Sequence, residues 1–289
     1  MQKPKTGFRL GLPKGRMQEK VFSLLSDAGI SIRIPQRGYR PQVSLPGCDV
    51  KILKPQNIVK MLHAGSRDLG FTGADWVAEL QADVVELLDT KLDPVSLVAA
   101  APKDFLDNGG PATRRMIVAS EYPRLTTEWI SQNNLDAVFI RSYGATEVFP
   151  PEDADCIVDI TATGETLDMN HLIPFATIMQ SSTRLYANPR ALDNPEIRRM
   201  SENIVMLLKS VLDARLRVIV EVNISSENLA KMVEILPCMR HPTISPLNGE
   251  DGFAVKVAMP CSELSQIIPE IKQCGGTDIL VSPIRQIIL

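Results

Sequence analysis

The sequence predicts an α/β fold made of two lobes and a smaller C-terminal unit, and three observations lead to it. With 289 residues, the chain is longer than one ordinary domain. Over its first two-thirds, short apolar runs alternate with amphipathic segments, which is typical of parallel strands covered by helices on both faces. Residues 217–289 follow another order, strand-helix-strand-strand-helix-strand, which is that of ferredoxin-like domains.

The helices of the first part are marked by their apolar stripes and by the residues at their ends. Residues 17–28 carry apolar side chains on one face, and Gly29 ends this helix. Pro55 suits the first position of a second helix, and residues 195–216 form a long amphipathic one. Strands are predicted at residues 8–12, 50–53, 68–71, 95–101, 116–120, 137–140, 156–160 and 177–185.

Two points along this part indicate a change of lobe. The chain leaves the first lobe near Asp93-Pro94 and returns to it near Phe175. Lobe I then comprises residues 1–93 and 178–215, and lobe II comprises residues 94–177. Because ligands of such proteins bind beyond the carboxyl ends of the strands, the sequence predicts a site in the cleft between the lobes.

The C-terminal unit, residues 217–289, contains no polar constellation of catalytic type. Strands are predicted at residues 218–224, 243–246, 253–259 and 278–288, and helices at residues 226–236 and 262–273. This pattern indicates a small binding or assembly module.

Composition and charge argue against several functions. The chain carries 31 basic and 34 acidic residues, a formal net charge of -3, whereas nucleic-acid binding requires a clustered excess of positive charge. No apolar run reaches the ~18 residues that spanning a bilayer needs, and the basic start is not followed by a signal-peptide core. Five scattered cysteines and three histidines predict a cytoplasmic protein with reduced thiols and no zinc site.

The sharpest local motif follows the strand predicted at residues 156–160. Asp159 and Ile160 lead into a turn of mostly small or hydroxylated residues. Main-chain N–H groups in such a turn converge on an anion, threonine hydroxyls add donors, and a glycine allows close approach. Asp159 would accept hydrogen bonds from sugar hydroxyls or hold a metal-bound water. The alternative is an ordinary strand-to-helix turn with threonine caps. The residues of the turn are Thr161, Ala162, Thr163, Gly164, Glu165 and Thr166.

Two cations flank a glycine where the first strand gives way to a helix. Lys14 and Arg16 stand at the expected rim of the cleft. Lysine as a point charge and arginine as a planar fork would bind a phosphate or diphosphate there. The alternative is a solvated basic turn. The sequence contains neither the dinucleotide-binding fingerprint nor a Walker-type phosphate loop.

Two further turns contain small residues. Thr72 and Gly73 end a strand before a helix whose first N–H groups are available to a ligand. Asp75, in the first turn of that helix, is expected to offset the helix dipole rather than to act in catalysis. In the turn at residues 143–147, Glu147 is either a ligand carboxylate or a surface charge.

Several motifs taken together resemble one family. The motifs LPKGR, DLGFTGADW, SEYPRL, YGATEVFP and DADCIVDITATGETL occur in the order and spacing of ATP phosphoribosyltransferases, the first enzymes of histidine biosynthesis. The tail segments ILPCMRHPTISPL and GGTDILVSPI resemble the regulatory domain of the long form of that enzyme. The resemblance covers nearly the whole chain.

The resemblance implies two catalytic lobes like those of periplasmic binding proteins, followed by a ferredoxin-like (ACT-like) regulatory domain. It also implies a reaction, in which ATP and 5-phosphoribosyl 1-diphosphate (PRPP) give N1-(5-phosphoribosyl)-ATP and diphosphate with Mg²⁺ as cofactor, held mainly through the substrate phosphates. The residues carried over are Lys14, Arg16 and Asp159 for catalysis, Asp159 and Thr161–Thr166 for PRPP, and Arg16, Thr72, Gly73 and Glu147 for ATP.

The resemblance further implies a dimer or hexamer that histidine inhibits. It does not identify the histidine contacts, for which our candidates are Thr243 and Ser245 in the segment 243–246 and the start of the strand at residues 278–284. One departure concerns the acids before the threonine-glycine turn. Other phosphoribosyltransferases have two adjacent acids there, whereas Ile160 follows Asp159 here, as fits the histidine-pathway subgroup. We expect the Glu165 side chain to point away from a bound phosphate.

Two other functions compete with this interpretation. Prephenate dehydratase also joins a two-lobed catalytic part to a ferredoxin-like sensor, and Ser182-Thr183-Arg184 faintly resembles one of its motifs. However, a dehydratase has no use for the threonine-glycine turn. A non-catalytic amino-acid sensor is the second alternative, and the same turn argues against it.

Overall fold

A computed structural model describes residues 7–34, 38–107, 110–111, 115–249 and 251–288. The chain divides into two compact units, one made of Met1–Ser23 and Ile30–Glu202 and the other of Leu24–Gly29 and Asn203–Leu289. Each unit contains a β-sheet of its own. Within the described ranges, no helix is long and apolar enough to cross a membrane.

Twelve described strands and six helices precede the C-terminal sheet. The strands are β1 (Arg9–Pro13), β2 (Ile32–Arg33), β3 (Gln42–Val43), β4 (Asp49–Leu53), β5 (Leu69–Gly73), β6 (Val85–Pro102), β7 (Leu106–Asp107), β8 (Gly110–Pro111), β9 (Met116–Ser120), β10 (Ala137–Arg141), β11 (Cys156–Thr161) and β12 (Leu172–Ala187). The helices are α1 (Gln18–Asp27), α2 (Pro55–His63), α3 (Ala74–Glu79), α4 (Pro123–Gln132), α5 (Glu165–Met169) and α6 (Pro195–Arg215).

The main sheet of the first unit is mixed, with the strand order β10-β9-β11-β6-β12-β5-β1-β4. β1 pairs in parallel with β4 and β5, and β9 pairs in parallel with β10 and β11. The long strands β6 and β12 pair antiparallel with each other and with their outer neighbours. Two parallel halves are therefore joined by two antiparallel strands, and the expected changes of lobe near Asp93-Pro94 and Phe175 fall within β6 and β12.

Helix α2 packs closely on β5 in the first half of this sheet. Ile58, Val59 and Leu62 form its buried face. Gly70 lies opposite this face, and a Cβ atom at Gly70 would come within 2.5 Å of Ile58 Cγ2 and 3.4 Å of Leu62 Cδ1. Since a contact of 2.5 Å is shorter than carbon atoms tolerate, the helix can approach the strand only because residue 70 has no side chain.

Helix α4, in the second half, begins at a proline and is capped from a distance. Pro123 occupies the first turn of the helix, where its lack of an N–H group costs no hydrogen bond. The Glu79 carboxylate at the end of α3 accepts hydrogen bonds from the N–H groups of Arg124 (3.0 Å) and Leu125 (2.9 Å). These N–H groups have no partner within the helix, so Glu79 joins the end of α3 to the start of α4.

The second unit contains the predicted strand and helix order. It runs β13 (Arg217–Ser225), α7 (Leu229–Ile235), β14 (Thr243–Pro246), β15 (Gly252–Pro260), α8 (Leu264–Gln273) and β16 (Thr277–Pro283), with the sheet order β14-β15-β13-β16. The prediction of a ferredoxin-like unit is confirmed. Both α-helices begin later than predicted, because a short 3-10 turn precedes each of them.

We predict that Gly70→Ala lowers the free energy of unfolding by about 1–3 kcal/mol, because the new methyl group overlaps Ile58. Ile58→Ala alone should cost about 2–5 kcal/mol through its cavity. The double variant should lose less stability than the sum of the two single losses, because the smaller side chain at position 58 makes room for the new methyl group. Urea denaturation of the three variants measures this coupling, and strictly additive costs would contradict the proposed contact.

Candidate functional site

A cleft of about 200 Å³ lies in the first unit, where several strands of the main sheet end. Lys14 follows β1, Asp75 follows β5, Tyr122 follows β9, and Asp159 lies near the end of β11. The structure thus brings Lys14, Arg16 and Asp159, three of the residues singled out in the sequence, to one cavity. The remaining lining residues are Met17, Pro55, Gln56, Trp76, Glu121 and Ile160.

The two cations are held at the rim by a left-handed glycine. Gly15 has a φ of +87°, a conformation that favours glycine, and its carbonyl accepts a hydrogen bond from Gln18 N–H at the start of α1. Lys14 Nζ lies 3.2 Å from the Tyr39 hydroxyl and 4.9 Å from the centre of its ring. Lys14 and Arg16 form no ion pair with any described carboxylate, so both charges are available to an anionic ligand.

The surroundings of Asp159 disfavour the ionised form of its carboxyl group. Burial raises its pKa to about 6, and the negative charges of Glu147 and Glu121 act in the same direction. A hydrogen bond of 2.7 Å from Ile160 N–H to Asp159 Oδ1 opposes this rise in part. A group in this position gains stability from a nearby cation or from hydrogen-bond donors of a ligand.

Asp75 lies at the centre of a buried hydrogen-bond network that was not predicted. It is 1% exposed, and its two oxygens accept hydrogen bonds from the hydroxyls of Ser181 (2.6 Å) and Tyr122 (2.7 Å). The Tyr122 ring stacks on Trp76 with 4.5 Å between the ring centres. Asp75 therefore links β12 to the segment after β9, rather than serving only its own helix.

The sequence contained a signal for this network without assigning a role to it. Trp76, Glu121 and Tyr122 belong to the DLGFTGADW and SEYPRL motifs. Their contacts join residues that are distant along the chain, such as Asp75 and Ser181. Local patterns do not report such contacts, so motif membership was the only available pointer.

Thr72 and Gly73 lie in the wall behind the cleft and are not among its lining residues. Thr72 is fully buried, and its hydroxyl donates to the Pro55 carbonyl oxygen at 3.3 Å. A Cβ atom at Gly73 would overlap Asp75 Oδ1. The positions of Pro55 and Asp75 in the cleft thus depend on these two residues.

The threonine-glycine turn follows the cleft residues Asp159 and Ile160 directly. Gly164 has a φ of +91° and precedes α5, and Asp168 N–H donates to its carbonyl oxygen at 3.0 Å. Thr161 is half-buried and Thr163 is exposed. The left-handed glycine and the exposure of the neighbouring residues are compatible with an anion-binding loop. The exposed residues of the turn also include Ala162, Glu165 and Thr166.

Glu147 acts on the cleft through its charge. It is half-buried on a 3-10 turn, Thr146–Val148, and its negative charge contributes to the raised pKa of Asp159. The turn is held by a hydrogen bond of 2.7 Å between the hydroxyls of Ser142 and Thr146. Glu147 is not among the lining residues of the cleft.

A second cavity of about 270 Å³ continues from the first, and we call it the outer half of the cleft. The two halves share Gln56, Trp76 and Glu121. The other residues lining the outer half are Lys54, Asn57, Lys60, Leu80, Arg141, Ser142 and Tyr143. Of these seven, only Tyr143 belongs to a motif noted in the sequence, YGATEVFP, and none of the seven was assigned a role there.

The fold and the site define an α/β protein with a charged cleft beyond the ends of its strands, which is where proteins of this class bind their ligands. Known proteins agree with this class. The sequence profile of the ATP phosphoribosyltransferase family matches residues 54–210, and that of the C-terminal domain of the same enzymes matches residues 214–286.

Full-length relatives carry the same name. An ATP phosphoribosyltransferase of Pelotomaculum thermopropionicum is 37% identical over 97% of this chain and 99% of its own, and one of Desulforudis audaxviator is 34% identical over the same shares. The solved ATP phosphoribosyl transferase (HisG:HisZ) complex from Thermotoga maritima is similar in fold, with a TM-score of 0.62 over 70% of this chain and 98% of that chain. The chain belongs to the ATP phosphoribosyltransferase family, the pentosyltransferases of histidine biosynthesis.

We predict that Asp159→Asn stabilises the protein at pH 8 by about 3 kcal/mol at most. The pKa of Asp159 is about 6 in the folded protein and about 4 in an unfolded chain, so the folded state binds the proton more tightly. In the wild type, the stabilising contribution of protonated Asp159 is fully present below about pH 4 and is lost as the pH rises through about 6. Urea denaturation of both proteins at about pH 8 and about pH 4.5 measures the difference.

The exposed Asp153 provides the matched control for this experiment. Asp153→Asn should change stability by less than about 0.5 kcal/mol at either pH. An Asp159→Asn variant that is no more stable than wild type at pH 8 would show that Asp159 does not ionise at a cost in the folded protein.

Proposed function

We propose that this chain joins ATP to PRPP in the described cleft, forming N1-(5-phosphoribosyl)-ATP and diphosphate. The observation that carries the proposal is the meeting of Lys14, Arg16 and Asp159 in one cavity, directly before the threonine-glycine turn. Membership of the family implies the two substrates. The residues assigned to each step below are part of the proposal.

The threonine-glycine turn holds the 5-phosphate and the ribose of PRPP in this proposal. Its main-chain N–H groups and the hydroxyls of Thr161, Thr163 and Thr166 donate to the phosphate, and Asp159 accepts from the ribose hydroxyls. Only glycine readily adopts the backbone conformation at position 164. The exposed Glu165 directs its carboxylate to solvent, so that only its N–H group faces the phosphate.

The chemistry depends on the departure of diphosphate from C1 of the ribose. Adenine N1 attacks without first losing a proton, so no strong general base is required. Negative charge grows on the leaving diphosphate, and Lys14 and Arg16 stabilise it by electrostatic attraction. Positive charge grows on the sugar ring, and the ionised form of Asp159 stabilises it from the other side of the cleft.

The donors in the cleft fit Mg²⁺ bound mainly through substrate phosphates. Mg²⁺ usually takes one or two protein carboxylates together with phosphate oxygens. Asp159 and Glu121 line the same cavity, and the charge of Glu121 raises the pKa of Asp159. A cation bound between the two carboxylates would relieve this repulsion. The described residues contain no cluster of three or more acidic, histidine or cysteine ligands. When bound, Mg²⁺ would neutralise the charge on the departing diphosphate.

The ATP-binding residues divide into direct and supporting groups. Arg16 lines the cleft and contacts ATP phosphates directly in our proposal. Thr72 and Gly73 support the wall formed by Pro55 and Asp75. Glu147 adjusts the charge of the site from outside the cavity.

The second unit is proposed to regulate the enzyme by binding histidine. We further propose a cytoplasmic dimer or hexamer in which lobe I (1–93 and 178–215) and lobe II (94–177) carry catalysis and residues 217–289 carry regulation. Thr243 and Ser245 lie on β14 at one edge of the C-terminal sheet, where both are exposed. An exposed edge with hydroxyl groups is accessible to a small polar ligand.

We predict that Arg16→Ala lowers kcat more than tenfold, a loss of more than ~1.4 kcal/mol of transition-state stabilisation. Arg16→Lys should recover part of the activity, since it restores the charge without the planar fork. The exposed Arg199 on α6 provides the control, and Arg199→Ala should leave kcat unchanged. The assay follows absorbance of the phosphoribosyl-ATP product from ATP, PRPP and Mg²⁺. Wild-type turnover in Arg16→Ala would show that Arg16 takes no part in catalysis.

We predict that histidine inhibits the full chain and that Ser245→Glu weakens this inhibition at least threefold, because the new carboxylate occupies and charges the edge strand. The same reaction without histidine should proceed at the wild-type rate. Ser262→Glu, on the turn before α8, is the control and should keep normal inhibition. Inhibition of equal strength in both variants would show that histidine does not bind at β14.

A further inference from the structure

The outer half of the cleft has the chemistry of a nucleotide site. Lys54, Lys60 and Arg141 bring three positive charges to a cavity of about 270 Å³, against one carboxylate, Glu121, among its lining residues. Within the described chain, these three cations form no ion pair. A cavity with this surplus of positive charge favours a polyanion such as a triphosphate.

An exposed aromatic ring, that of Tyr143, lines the outer half of the cleft. Tyr143 is 83% exposed, although a side chain of this size usually buries much of its surface. The Arg141 guanidinium lies 5.1 Å from the ring centre and covers one face. The other face has the shape and the electron distribution that purine bases stack on.

The outer half adjoins the part of the cleft that holds Lys14, Arg16 and Asp159. Gln56, Trp76 and Glu121 line both halves and form the boundary between them. A base bound on the outer side is therefore next to the residues assigned to the ribose donor. Because the outer half supplies three cations of its own, ATP and the ribose donor can occupy the two halves together.

We propose that Tyr143 is a specificity-determining residue for the nucleotide, stacking the open face of its ring on the purine of ATP while Lys54, Lys60 and Arg141 bind the triphosphate. This inference rests on the proposed function, because it assigns one of the two proposed substrates to the outer half. The inner half then receives the ribose donor.

Steady-state kinetics of Tyr143→Ala and Tyr143→Phe test the role of the ring. Tyr143→Ala should raise the KM for ATP about tenfold, equivalent to about 1.4 kcal/mol, and leave the KM for PRPP within about twofold. Tyr143→Phe keeps the ring and should stay within about twofold of wild type for both substrates. An unchanged KM for ATP in Tyr143→Ala, an equal rise for both substrates, or a Phe variant that behaves like the Ala variant would overturn the proposal.

Calorimetry with ATP and with AMP, which has the same base and one phosphate, separates the ring from the cations. Tyr143→Ala should weaken both nucleotides by the same factor. Lys60→Gln should weaken ATP at least threefold more than AMP, while Lys103→Gln, an exposed lysine outside the cleft, should change neither. Loss of ATP affinity in Tyr143→Ala without loss of AMP affinity would exclude stacking.

The two measurements also keep the inference apart from the proposed function. If wild-type protein forms no product from ATP and PRPP, the proposed function fails, and the calorimetric result alone then decides whether the outer half binds a nucleotide. If product forms but Tyr143→Ala binds ATP normally, the function stands and the assignment of Tyr143 is wrong.

Discussion

The pairing of β6 with β12 holds the catalytic unit together, and the position of every cleft residue depends on it. These strands run antiparallel through the middle of the sheet and join two halves that are otherwise parallel. Side chains reinforce the backbone pairing: the Ser182 hydroxyl donates to Asp89 at 2.7 Å, and the Thr90 hydroxyl donates to the Thr183 carbonyl oxygen at 2.5 Å. The strand ends of both halves therefore meet at one cleft, with cations from one half facing the carboxylate Asp159 of the other.

The cleft keeps charges of both signs without neutralising them within the protein. Lys14 rests on the ring of Tyr39, Asp159 is crowded by Glu121 and Glu147, and Asp75 is satisfied by hydroxyl groups. Ion pairs among these groups would stabilise the empty enzyme, but they would have to be broken when a substrate binds. In the observed arrangement no such ion pairs need to be broken, so the charged groups can interact with a substrate directly. A preorganised site gains affinity and rate in this way.

The sequence predicted most elements and the main site motifs, because the information for them is local. The apolar run before Lys14 and the left-handed glycine turn before α5 are both visible in a few consecutive residues. The first half of β6 was missed, since charged residues such as Asp89 and Asp93 interrupt its apolar pattern, and their partners in β12 and α1 are distant along the chain. Helix α4 was missed because its start is stabilised by Glu79, more than forty positions earlier in the chain. The outer half of the cleft was missed for the same reason, as it joins α2 to the turn after β10.

The two tryptophans of the chain differ in a way that gives the enzyme a built-in optical reporter. Trp129, on α4, is buried in the core, whereas Trp76 is partly exposed and borders both halves of the cleft. Intrinsic emission from Trp129 is thus a constant background, and a change in emission on adding a substrate comes from Trp76. Occupancy of the cleft can therefore be followed in the unlabelled protein, without turnover and without a dye.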